Sequence, residues 1–262
     1  MSRALKLVLV VLLGCGGGGP ESAENVPIEV GPDSIRSANP PISIAYRDSV
    51  SEAYQFQPDS VLLRMHPEGR PEDVRVATAL LETSSGEAKL RFAHYLVKQG
   101  ERGVPEIVSL VGRSQDWDTL LTAIQTLGKL KARTAVKAVG VHLKAPNSWV
   151  RIAAAHALGD IGGSAVVDPL VKALRDTTDT VVSAALIALG KTGDQTALTA
   201  CADQLDHANP RVRAAAASAI GRLGHRQDAR LLHPLLDDSD SGVRFKAQQG
   251  IDRLNASGES PG

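Results

Sequence analysis

Apolar residues in the C-terminal two thirds of the chain recur at two spacings, a short one of 4 and 8 positions and a long one of 31. Val150, Val181, Val212 and Val243 form one column, Ala154, Ala185, Ala216 and Ala247 a second, and Leu158, Leu189, Ile220 and Ile251 a third. Offsets of 4 and 8 fall on one face of an α-helix, so every period predicts a helix burying the same face. A second apolar stretch precedes each of these helices: Val167, Leu170, Val171 and Leu174, matched by Leu198, Cys201, Ala202 and Leu205, then by Leu232 and Leu236. Two helices of about 12 residues and two short turns fill one period. Ala123, Leu127, Gly128 and Leu130 continue the series upstream, and Ala88, Phe92 and Leu96 continue it more faintly. Downstream, Leu254 keeps the pattern. Fading at both ends is what capping units of a stacked array show. The predicted fold class is therefore all-α, an α-solenoid of stacked antiparallel helix pairs over residues 70–255.

Glycines punctuate the period in pairs: Gly159 and Gly162, Gly190 and Gly193, Gly221 and Gly224. The second of each pair is placed to end a helix in the left-handed conformation that glycine adopts without strain. Ser164 and Asp194 follow as candidate N-caps. The first of each pair lies inside the last turn, where glycine loses roughly 1 kcal/mol of helix propensity against alanine. Close approach of the neighbouring helix is the expected compensation, helped by the alanines at 153–155, 184, 185 and 214–217.

The segment Val150-Arg151-Ile152-Ala153-Ala154-Ala155-His156-Ala157-Leu158-Gly159-Asp160-Ile161-Gly162 and its counterpart from Val212 to Gly224 resemble HEAT-like repeats of the phycobilisome lyase type. The resemblance is strongest over residues 132–254, is weaker from 87, and is absent before about residue 70. It implies an α-solenoid with the second helix of each pair on the concave side.

The N-terminus reads as an address. Arg3 and Lys6 precede an unbroken apolar run from Leu7 to Leu13, the layout of a secretory signal peptide. That run is too short to cross a bilayer core of about 30 Å. It ends in Leu12-Leu13-Gly14-Cys15, which resembles the lipobox of bacterial lipoproteins and implies cleavage before Cys15 and acylation of its thiol. Each buried acyl methylene contributes roughly 0.8 kcal/mol, so two or three chains hold a protein at a membrane. Residues 1–14 are thus expected to be a signal peptide, with Cys15 lipidated and the chain in the cell envelope. Gly16 is not the Asp that signals inner-membrane retention in enterobacterial lipoproteins, which implies the outer membrane in a Gram-negative source. Residues 15–41, rich in Gly, Pro, Ser and Asn, read as a flexible tether, and about 25 such residues span roughly 25 to 30 Å. Residues 42–69 are more apolar, with Ile42, Ile44, Tyr46, Tyr54, Phe56, Val61, Leu62 and Leu63, and read as an irregular or capping segment over the open end of the stack. Residues 256–262 read as a disordered tail.

Composition narrows the chemistry. Lys plus Arg and Asp plus Glu number 29 each, and loss of Arg3 and Lys6 with a signal peptide would leave 27 bases against 29 acids, so no global attraction to nucleic acid is expected. Only Cys15 and Cys201 occur, without CxxC spacing, and Cys201 falls at the core position of Leu170 and Leu232. None of the seven histidines is followed by Glu, the dipeptide with which deoxyhypusine hydroxylase, another enzyme built on this repeat, binds iron. No GxSxG, P-loop or GxGxxG is present. No cofactor, metal or catalytic constellation is expected.

Two charged columns remain. Arg151, Arg213 and Arg244 recur in the first turn of the second helices, where the macrodipole disfavours a cation. They read as a structural ladder between units, with Asp179 as a partner and Asp176 and Asp240 close by in sequence. Lys129, Asp160, Lys191, Arg222 and Arg253 form the other column, on the side expected to face solvent, and read as the rim of a locally basic surface for a protein or peptide partner, acidic in character. The leading expectation is a non-catalytic binding or scaffolding module tethered to a bacterial envelope membrane. The alternative is an enzyme or enzyme accessory subunit related to the lyase-type repeat proteins.

Overall fold

The computed structural model describes residues 69–256 together with Leu62 and Met65. The segments expected to be signal peptide, tether and tail, together with Cys15 and most of residues 42–69, lie outside the described residues. Within them the chain forms α1 (Pro71–Thr83), α2 (Gly86–Lys98), α3 (Val104–Arg113), α4 (Trp117–Lys129), α5 (Val136–Val141), α6 (Ser148–Ile161), α7 (Val167–Ala173), α8 (Asp179–Thr192), α9 (Leu198–Ala202), α10 (Pro210–Leu223) and α11 (Ser241–Ala256). No strand occurs among the described residues. The chain is an all-α solenoid.

The second helices α2, α4, α6, α8, α10 and α11 begin at residues 86, 117, 148, 179, 210 and 241, a register of 31 kept without slip. Their starts are set locally. Asn147 and Asn209 accept hydrogen bonds from the backbone N–H of Trp149 and Arg211, and Asp116 accepts one from Thr119. Asp240 does the same for Gly242 and Val243. Each such cap stabilises a helix start by about 1 kcal/mol.

The repeating apolar columns form one continuous core. Val150, Ala154 and Leu158 and their counterparts one, two and three periods on are all buried, as are Phe92, Leu96, Ala123 and Leu127 upstream. Met65 is buried in the same core, and Leu62 packs against it.

The glycine inside the last turn of α4, α6, α8 and α10 marks the point of closest approach. A Cβ at Gly159 would lie 2.7 Å from Ala188 Cα, one at Gly128 2.8 Å from Ala157 Cα, one at Gly190 3.0 Å from Ala219 Cα, and one at Gly221 2.6 Å from Gly250 Cα. Backbone meets backbone along this seam, and only a missing side chain permits it. One period before Gly128 stands Val97, and there α2 meets α4 more sparsely than the later second helices meet one another. The second helices thus stack tightly while the first helices touch their neighbours little. Unequal spacing bends the stack with the second helices on the inner side.

Three local expectations need correction. From the third unit on, the first helices are not continuous helices of about twelve residues: α5, α7 and α9 have 6, 7 and 5 residues, each after a 3-10 turn of 3, and the C-terminal unit has only 3-10 segments at Arg226–Leu231 and His233–Asp237. Pro234 in that unit lacks the N–H an α-helix would need. Gly162 and Gly193 have φ of +69° each, as expected, whereas Gly224 is extended with φ of −79°. Its turn is held by a side chain instead, the Asp228 carboxylate accepting from the N–H of His225 at 2.8 Å. Asp194 caps as expected, accepting from Thr196 N–H, but the position equivalent to it is Gly163, which serves as N-cap with φ of +83°, so Ser164 is one residue too late to cap.

Candidate partner-binding surface

The arginine column lies at the edge of the stack. Arg151 donates to Asp176 through Nε to Oδ2 at 2.8 Å and Nη2 to Oδ1 at 3.0 Å, and Nη1 reaches the carbonyls of Ala145 and Pro146 at 2.9 and 3.1 Å. Arg213 repeats this arrangement with Asp238 at 2.8 and 2.7 Å and with the carbonyls of His207 and Ala208. Arg244, in the last unit, keeps the carbonyl bonds, to Asp238 and Ser239. Each acid is pinned by its own turn, since Asp176 Oδ1 accepts from Thr178 N–H and Asp238 Oδ1 from Asp240 N–H, both at 2.9 Å. Carboxylates and carbonyls together offset the unfavourable helix end.

Asp179 does not join this ladder. It begins α8, three residues beyond Asp176, and accepts instead from Asn209 Nδ2 of the following unit at 2.7 Å. Asp240, the other nearby acid, is used to cap α11. Where the arginine column reads Val182, the acid position reads His207, whose Nδ1 accepts from Asn209 N–H at 3.0 Å and so replaces the aspartate in the turn. Two periods before Arg151 the column reads Lys89. This buried lysine donates to Asp118 at 2.7 Å and to Thr119 Oγ1 at 3.1 Å. Lys89 was legible from its spacing of 62 from Arg151.

The other column, Lys129, Asp160, Lys191, Arg222 and Arg253, is exposed at every position and extends upstream to Lys98. Lys191 Nζ donates to Asp160 Oδ1 at 2.7 Å, so these two satisfy one another. Arg222 lays its stem over Gly190, where an added Cβ would sit 3.3 Å from Arg222 Cδ. Sequence spacing alone did not reveal that one member of this column, Arg222, lines a groove. The groove, about 520 Å³, is lined only by second helices: His156 of α6, Thr180, Ser183, Ala184, Ile187 and Gly190 of α8, a row of α10 from Arg211 to Arg222, and Lys246 of α11. Its floor is alanine and Ile187, and its charged lining is Arg211, Arg222 and Lys246, with no carboxylate. Further apolar side chains stand exposed on the same row of helices, notably Leu90, Trp149 and Phe245, the last with Lys246 Nζ 5.6 Å from its ring centroid.

His156 is half-buried in this groove. Burial, then the nearby Lys191 charge, lowers its pKa from 6.5 against the opposing pull of Asp160, so it is a neutral lining group near pH 7. Cys201 is fully buried, and burial pushes its thiol up to about 12, which suits a core residue and not a nucleophile. Among the described residues no group of three or more His, Cys, Asp and Glu side chains is arranged to hold a metal ion, and no helix is long and apolar enough to cross a membrane.

The sequence profile of HEAT repeats matches residues 104–190 and 180–252. Among solved structures, the complex of CpcE and CpcF of phycocyanin lyase from Nostoc sp. PCC7120 superposes with a TM-score of 0.52 at 23% identity, covering 89% of this chain and 82% of that one. A designed armadillo repeat protein in complex with the peptide (KR)4 superposes with a TM-score of 0.52 at 17% identity, covering 70% of this chain and 99% of that one. No curated protein sequence gives a significant match.

Proposed function

The chain belongs to the HEAT-repeat family, and from that premise we propose that it is a non-catalytic scaffold that binds a protein or peptide partner on the inner face of its second helices while a lipid on Cys15 holds it at a bacterial envelope membrane. The observation that carries this reading is the groove on that face, apolar on its floor and cationic around it. A solenoid offers an extended surface rather than a closed pocket, and binding there needs complementarity over several units and no reacting group. The solved relatives support the mode of action to this extent: one is a complex of two subunits and the other holds a peptide. The peptide in the second is basic, whereas the groove here is lined by cations, so the partner we propose is acidic.

The anchor and the surface are tested separately. Cys15→Ser should move the protein out of the membrane fraction, and continued membrane association would refute the anchor. Charge reversal of Lys191, Arg222 and Arg253 together should abolish capture of the partner cross-linked to the wild-type chain in native envelopes. Undiminished capture would refute the surface.

A further inference from the structure

We propose that the groove between α8 and α10 is a peptide subsite that reads two acidic side chains four positions apart on an extended segment, with an apolar side chain midway between them. This deepens the reading above and rests on it. Arg211 and Arg222 stand at the two ends of the α10 lining, eleven residues or about 16 Å apart along the helix axis at roughly 1.5 Å per residue. Side chains four positions apart on an extended chain share one face and stand about 13 Å apart at roughly 3.3 Å per residue, and the reach of the two long guanidinium side chains covers the difference. Neither guanidinium has an ion-pair partner among the described residues. Each is therefore available for the bidentate carboxylate contact that a guanidinium makes and an ammonium does not.

Between the two arginines the lining changes character. Ile187, 41% exposed, and the alanines of α8 and α10 make an apolar floor. On that floor the hydroxyl oxygen of Ser183 is buried and has no hydrogen-bond partner. A buried hydroxyl left without a partner is uncommon, and rotation about the Ser183 Cα–Cβ bond would turn it toward a main-chain N–H or C=O of an extended segment lying along the groove. The absence of any carboxylate in the lining excludes a basic segment by repulsion from Arg211, Arg222 and Lys246.

The test uses the full chain carrying Cys15→Ser and fluorescence anisotropy with labelled peptides. The probe is Ser-Asp-Ser-Leu-Ser-Asp-Ser, compared with the same peptide bearing Asn for both Asp and with one bearing the two Asp adjacent. The spaced diacid should bind best and weaken with added salt, and the Asn peptide should be weaker by about 10-fold or more. Arg211→Ala and Arg222→Ala should each weaken the spaced diacid about 10-fold, with circular dichroism unchanged, while Lys137→Ala on α5 should leave it unaltered. Equal binding of all three peptides, no binding of any, or indifference to both arginine substitutions overturns the proposal. If capture of the native partner is still lost on charge reversal of Lys191, Arg222 and Arg253, the subsite alone has failed; if capture persists, the wider reading has failed with it.

Discussion

Gly159→Ala puts a helix-favouring residue into a helix and should nevertheless destabilise the protein. Alanine gains about 1 kcal/mol over glycine in helix propensity. Its Cβ would fall 2.7 Å from both Cα and Cβ of Ala188, where carbon atoms rest at roughly 3.5 to 4.0 Å. The atoms met are main chain and its first carbon, with no flexible side chain to swing aside, so α6 and α8 must part by about 1 Å. A gap of that size forfeits about a quarter to a half of the dispersion energy of each contact along the seam, and overpacking of this kind typically costs about 1 to 3 kcal/mol. Net destabilisation of about 1 to 2 kcal/mol is expected after the propensity gain is returned. Gly112→Ala is the matched control. It lies in α3, exposed, with nothing within 4 Å of an added Cβ, and should stabilise by about 0.5 to 1 kcal/mol. Urea unfolding followed by far-ultraviolet circular dichroism measures both. Equal or greater stability of Gly159→Ala would refute the account of the glycine seam.

Other consequences follow from the ladder and the core. Arg151→Ala strips Asp176 of both its guanidinium bonds and leaves a mostly buried carboxylate; urea unfolding should show a loss of about 2 to 4 kcal/mol, and Asp176→Asn a smaller one. Hydrogen bonds from Arg213 hold the Asp238 carboxyl below its ordinary 3.8. Such a group contributes stability that is fully present above pH 3.8 and is lost as pH falls through the lower folded value. The stability difference between wild type and Asp238→Asn should therefore be flat near neutrality and shrink in that acid range, and a difference independent of pH would contradict the assignment. In a Cys15→Ser chain the remaining thiol is Cys201, buried and pushed up to about 12; a thiol reagent should label it at neutral pH only once the protein is unfolded.

The parts of this molecule that read directly from sequence are those where one residue answers to one geometric demand repeated every 31 positions. Val150, Ala154 and Leu158 are such residues, because helix period and burial alone decide them. So is Gly159, whose cost in propensity pointed to a neighbour before any neighbour was known. The ladder was half legible. Repetition marked Arg151 and Arg213, but choosing Asp176 over Asp179 depends on which carboxylate the turn before the next helix pins toward the preceding unit, and three residues of spacing decide that. Gly224 and Ser164 were misread for a related reason: a turn can be closed by Asp228 or shifted by the doubled Gly162-Gly163 without disturbing the period. The groove was not legible. Its residues, among them Ser183, Arg211 and Lys246, come from different columns on four helices, and only the packing of those helices brings them to one surface.

The central claim is that the inner face of the second helices carries the partner. The most direct measurement places a photoreactive residue in place of Ile187 on α8, and separately in place of exposed Lys172 on α7, in the full chain produced in its native cells. Irradiation should couple a defined protein to position 187, with the adduct lost when Arg211 and Arg222 are both changed to Glu, and should couple nothing comparable to position 172. The same protein captured from position 172 alone, or equally from both, would contradict the claim.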